Sequence, residues 1–190
     1  RCSRDWSSDV CSSDLSLDAQ LARIKSLVTR TGADTMLDYG CGKGQQYQPR
    51  PIKDEAGEVW PSVIDYLDIG ELVCYDPCYE PFSRLPEGKF DAVICTDVLE
   101  HCPEADLPWI IGELFGYANR FVFANVACFP ARKRLPNGEN AHCTIRPPQW
   151  WRELVARIAS GYPGVQWEFW IQYLEDTPNG SEAREEKVAG

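Results

Sequence analysis

Apolar positions along this chain switch between a helical period and short runs of strand length. From residue 16, Leu17, Leu21, Ile24, Leu27 and Val28 recur at helical spacing, with Ser16 placed to cap the helix and Gly32 to stop it. A short strand, 35–39, follows. Residues 45–70 are less regular, holding Pro49, Pro51 and Pro61 before a short helix through Val63, Ile64 and Leu67. A strand at 72–75 is halted by Asp76-Pro77, and 90–95 reads as a buried strand. Pro103 opens a helix with Glu104 and Asp106 in its first turn and Leu107, Ile110, Ile111, Leu114 and Phe115 as its apolar stripe. A strand at 121–126 leads into the irregular stretch 128–146, a length of loop that in compact domains is usually functional or disordered. Pro147-Pro148 start a helix carrying Trp150, Trp151, Leu154, Val155 and Ile158, and 165–173 alternates as a half-buried strand. This order predicts an α/β fold, a mainly parallel sheet with helices on both faces. In such sheets ligands bind beyond the carboxyl ends of the strands, where strand order reverses.

Two segments stand outside that pattern. Residues 5–15 read DWSSDVCSSDL, the translation of a common sequencing-adapter sequence, so 1–15 is expected to be read-through and is excluded from fold reasoning. An intact native reading frame in the upstream genomic DNA would contradict that expectation. The polar stretch 176–190 is expected to be a disordered tail, leaving 16–175 as one domain.

Composition narrows the function. A formal net charge of −10 argues against a large phosphate-tracking surface, so nucleic acid is disfavoured as a partner. The basic run Arg132-Lys133-Arg134 is read as a solvated loop. No apolar stretch approaches the roughly 20 residues of a membrane span, so no membrane partner is expected. The nine cysteines show no paired spacing, and Cys41, Cys74, Cys95 and Cys128 fall in or beside strands, which suits a reducing, cytoplasmic location. Cys74, Cys78, Cys95, Cys102, His101, His142 and Cys143 lack C-x-x-C or H-x-x-x-H spacing, so no metal is predicted.

The chemistry concentrates after the strands. Asp38-Tyr39-Gly40-Cys41-Gly42-Lys43-Gly44 follows the first strand directly, its glycines allowing a sharp turn and a close backbone approach. The spacing is G-x-G-x-G, with Gln45 where a dinucleotide fingerprint has its third glycine. With the leading Asp38, this loop resembles motif I of class I S-adenosylmethionine-dependent methyltransferases. Asp76, ending the next strand, and FDAVICTDVLEH at 90–101 extend the resemblance, the latter to the small-molecule type with an L-E-H signature. The three motifs cover roughly residues 35–125. The resemblance implies a Rossmann-like three-layer sandwich, S-adenosyl-L-methionine as cofactor and a small-molecule acceptor. It implies that Asp38, Gly40, Cys41, Gly42 and Gly44 surround the methionine portion, that Asp76 accepts from the ribose hydroxyls, and that Thr96 and Asp97 border the sulfonium. Glu100 and His101 are expected to fix the following helix.

The chain also departs from the family. The connection 77–89 is too short for the usual helix, third strand and second helix, so the sheet is expected to be reduced, with that strand short or missing. The adenine-binding acid has no counterpart, and Tyr79 or Phe82 is the expected flanking ring. One good strand follows the last helix where the family has two. If the acceptor must lose a proton, His142 in the long loop is the candidate base, with Asn140, Thr144 and Arg146 positioning the acceptor and Trp150 and Trp151 more at home in the core. An amino-group nucleic-acid methyltransferase would carry P-P-aromatic after the fourth strand, and a cytosine-C5 enzyme a Pro-Cys there. The chain has Asp97-Val98-Leu99 and the reversed Cys102-Pro103. The alternatives are a non-catalytic Rossmann-like module that binds the cofactor, and behind it a nicotinamide-dependent oxidoreductase.

Overall fold

The computed structural model describes residues 16–178 and 180–190; the adapter-like segment lies outside them. Helix α1 (Ser16–Thr31) buries the predicted stripe, and Gly32 ends it in the left-handed region, its N–H donating to the Val28 carbonyl at 2.8 Å. The chain continues through β1 (Thr35–Tyr39), the two-residue strands β2 (Ile52–Lys53) and β3 (Val59–Trp60), α2 (Val63–Leu67), β4 (Glu71–Tyr75) and β5 (Phe90–Thr96). Then come α3 (Leu107–Tyr117), β6 (Ala118–Ala127), α4 (Pro148–Ala159), β7 (Gln166–Thr177) and β8 (Gly180–Ala189).

Six strands form one sheet in the order β4-β1-β5-β6-β7-β8, parallel throughout except where β8 pairs antiparallel with β7. Strand order therefore reverses between β1 and β5, which opens a crevice at their carboxyl ends. Successive strand residues point to opposite faces. Met36, Ala92, Ile94, Phe121 and Phe123 pack with α1 and α2, while Leu37, Val93, Cys95, Val122 and Ala124 pack with α3 and α4. Fully burying each larger side chain contributes about 1.5–3 kcal/mol, so the two apolar faces, rather than helix propensity, fix the layers.

One expectation holds and one changes. The connection 77–89 carries only a 3₁₀ turn, Glu80–Phe82, so among the described residues β4 is the sheet's edge, as the reduced fold requires. Where a disordered tail is expected, residues 176–177 complete β7 and Gly180–Ala189 form β8. Composition misled because the charges have partners. Arg184 bridges Glu175 and Glu182, which sit opposite one another in the ladder, Lys187 and Arg30 meet Glu168, Arg152 meets Glu186, and Arg23 meets Glu185. The second strand missing from the sequence reading is thus present.

Candidate functional site

The glycine loop leaves β1 at the reversal point. Gly40 (φ 88°), Gly42 (φ 59°) and Gly44 (φ 66°) are all left-handed, which costs a residue with a Cβ roughly 1–2 kcal/mol. The N–H groups of Gly40 and Cys41 donate to the Tyr75 carbonyl at 2.7 and 3.2 Å, prolonging the β1–β4 ladder. Gly42 N–H donates to Asp76 Oδ2 at 2.9 Å, and Cys78 N–H to Asp76 Oδ1 at 2.7 Å. Asp76 is buried, so it braces the loop against its own turn through two charge-assisted bonds. A carboxylate has about four lone-pair sites; these bonds take two.

The glycines also serve the chain's own packing. A Cβ on Gly40 would fall 2.4 Å from Val98 Cγ2, and one on Gly44 2.9 Å from Phe82 Cε2. Sequence reasoning assigned these bare positions to ligand approach; the structure fills them with Val98 and Phe82. Asp38 turns toward the loop that follows it, accepting from Tyr47 Oη at 2.8 Å and Gln46 Nε2 at 3.1 Å. Burial outweighs those two donors and pushes its carboxyl up to about 6. Cys41 is buried beside Cys74, whose thiol and the lack of solvent push the Cys41 thiol well above its usual range. It is a packed thiol here.

Beyond β5, Thr96 pairs in register with Asn125 of β6, and Asp97 is a left-handed non-glycine residue (φ 52°) accepting from Asn125 Nδ2. Such a conformation persists only where its surroundings hold it. Glu100 is fully buried; its Oε1 accepts from Ala127 N–H at 3.1 Å, while Oε2 has no hydrogen-bond partner. Burial, then the nearby Asp97 charge, pushes this carboxyl up to about 8. Asn125 Oδ1 is likewise buried without a partner.

Glu100 and His101, expected to fix the following helix, are bonded to the end of β6 and to the loop 128–146. Thr144 N–H donates to the Glu100 carbonyl at 3.0 Å, and His101 Nδ1 meets the Ala141 carbonyl at 2.8 Å. His142 is held in the same way, its Nδ1 against the Phe129 carbonyl at 2.6 Å and its N–H donating to Asn140 Oδ1 at 2.9 Å. A ring nitrogen facing a carbonyl must carry the proton, so in both rings it is Nε2 that can offer a lone pair. The two rings stand 4.7 Å apart at 83°. Burial pushes His101 down to about 4, and it is neutral at pH 7. One ligating atom each from Glu100, His101 and His142 lies within 4.8 Å of the others.

The expected acceptor-positioning residues are spent locally. Asn140 bonds both backbone groups of Ala131, Thr144 Oγ1 donates to the Cys102 carbonyl at 2.6 Å, and Arg146 pairs with Glu104. Trp151 is fully buried core and Trp150 packs edge-on against it. An open groove of ≈ 390 Å³ lies against Val73 and Cys74 of β4, lined by Pro81, Phe82, Leu85 and Pro86 with Arg84 and Glu87. Phe82, a candidate adenine neighbour, thus borders open space, and Tyr79 packs edge-on to it at 5.5 Å. Sequence reasoning missed Asn125; a polar residue inside the apolar run 121–127 was the available signal.

Among the described residues, no helix is long and apolar enough to cross a membrane. No protein-family model matches the chain, and a search of curated proteins finds no relative.

Proposed function

We propose that the chain is an S-adenosylmethionine-dependent methyltransferase of Rossmann-like fold acting on a small-molecule acceptor. The observation that carries this reading is the glycine loop at the reversal point of the sheet, with Asp38 ahead of its glycines and Asp76 accepting from its Gly42 N–H. Acidic residues at such a loop suit a ligand bearing a sulfonium and an amino group, and oppose the pyrophosphate of a dinucleotide, which needs donors and positive potential.

S-adenosylmethionine, when bound, supplies an electrophilic methyl group on a good leaving group. The chain's own task is then to position, exclude water and manage one proton. Asp76 offers its two remaining acceptor sites to ribose hydroxyls while its other bonds hold the loop rigid. The open groove beside Phe82 offers an adenine ring one aromatic neighbour. His142, its Nδ1 tied to a carbonyl, presents the Nε2 lone pair to a hydroxyl or amine losing its proton.

Incubation with methyl-labelled S-adenosylmethionine and small hydroxyl, amine and carbon-acid acceptors tests the reading. Label transfer that Gly42→Val abolishes supports it, because a branched side chain there is both strained and in the ligand's path. Thermal stabilisation by nicotinamide dinucleotide and not by S-adenosylmethionine would overturn it. The packing of Val98 and Phe82 over the glycines favours a second reading, a non-catalytic module. Cofactor binding with no transfer to any acceptor would select that one.

A further inference from the structure

We propose that Glu100, His101 and His142 form a binding site for a divalent transition-metal ion, with both imidazole Nε2 atoms and one carboxylate oxygen as ligands. The three groups come from two separate parts of the chain, the turn after β5 and the loop 128–146. One ring nitrogen from each histidine and one carboxylate oxygen lie within 4.8 Å of one another, and the carbonyl contacts of both Nδ1 atoms leave Nε2 to face an ion. Ligands about 2.1 Å from a shared ion stand roughly 3.0–3.4 Å apart in tetrahedral or octahedral geometry. Small side-chain rotations therefore close the set.

Three further observations mark the site as built. First, each imidazole is fixed through Nδ1 by a backbone carbonyl, Ala141 for His101 and Phe129 for His142. Metal-binding histidines are usually held in this way, with the second nitrogen engaged so that tautomer and ring plane are set. Second, the Glu100 carboxylate is fully buried with Oε1 anchored by Ala127 N–H and Oε2 without a hydrogen-bond partner. An orphaned buried carboxylate oxygen is costly unless something satisfies it, and a cation does. Third, the loop is tied across the turn by Thr144 N–H to the Glu100 carbonyl and Thr144 Oγ1 to the Cys102 carbonyl. The ligands thus belong to one braced unit.

Two imidazoles and a carboxylate are a borderline donor set that selects zinc, iron(II), cobalt or manganese over calcium and magnesium. Three protein ligands leave coordination positions for water or for an oxygen of a small acceptor, which the ion would polarise. Under this assignment His142 is a ligand and not a base. The site stands apart from the donor reading: a metal would bind here even if S-adenosylmethionine did not.

Chelator-treated full chain titrated with Co²⁺ and Zn²⁺ tests the site. The chain has two histidines, so imidazole nitrogen NMR reports on both without any substitution. The expected result is one equivalent bound, with both Nε2 signals shifting and both Nδ1 signals remaining protonated. His142→Ala, checked for native circular dichroism, should weaken Co²⁺ binding by roughly 10–100-fold or more, no less than the loss of an outer-shell partner. Unmoved imidazole signals on Zn²⁺ addition would overturn the proposal. So would a thiolate-to-cobalt charge-transfer band, which would assign the ion to cysteines.

Discussion

The two sides of the crevice are built in opposite ways. On the glycine side, every special position is answered by the chain itself: Val98 sits over Gly40, Phe82 over Gly44, and Asp76 holds the Gly42 amide. On the histidine side, the backbone is equally well tied, yet the functional atoms are left over, with Glu100 Oε2 and Asn125 Oδ1 buried and unpartnered. Where the framework is satisfied internally the loop is held rigid, and what it offers a ligand is confined to a few acceptor positions such as the two left on Asp76. A region whose framework is satisfied while side-chain atoms are not is poised to bind something.

The largest expected effect breaks the glycine side directly. Gly40→Ala places a Cβ 2.4 Å from Val98 Cγ2 at a left-handed φ, and should cost about 2–4 kcal/mol in urea denaturation from strain and overpacking together. Val98→Ala in the same chain should return part of that loss, since it removes the clash and leaves the strain. Additive losses in the double variant would mean that Val98 is not what requires the glycine.

Asp76→Ala should follow at about 1–3 kcal/mol, because the buried N–H groups of Gly42 and Cys78 lose their acceptor. The same variant should weaken S-adenosylmethionine binding. A loss of stability with affinity retained would confine Asp76 to bracing.

Asp38 sharpens the comparison through pH. Its carboxyl rises from an ordinary value near 4 to about 6 in the fold, so the native state holds the proton more tightly than the unfolded chain. The stabilisation is complete below pH 4 and is lost as pH rises through 6, a fall of about 1–3 kcal/mol. Asp38→Asn should flatten that part of the stability profile. An unchanged slope between pH 4 and 6 would show that Tyr47 and Gln46 already offset its burial.

The smallest effect on stability is expected on the other side. His142 is half-buried and its ring contributes one bond to a carbonyl, so His142→Ala should change stability by less than about 1 kcal/mol. Methyl transfer should nevertheless fall by about 10²–10⁴ if Nε2 accepts the proton. A large loss of stability with transfer intact would make this histidine structural.

The same contrast explains what the sequence disclosed. α1, β1, β5 and α4 were legible because their apolar residues keep one period and meet one sheet face. The glycine loop was legible because its constraint is local, three left-handed glycines within five residues. β8 was not, because it is held by backbone pairing with β7 along its whole length and lines up opposite charges such as Arg184 with Glu175, neither of which a polar composition announces. The histidine site was hidden for a related reason. His101 and His142 are far apart in sequence and meet through backbone carbonyls, Ala141 and Phe129, whose position no residue type announces. Nor could spacing show that Val98 and Phe82 occupy the room above the glycines.

Calorimetric titration of the full chain with S-adenosylmethionine and its demethylated product tests the central claim most directly. One equivalent of each should bind, with affinity lowered by Asp76→Ala and little altered by His142→Ala. Absence of binding by both ligands to natively folded protein would contradict it.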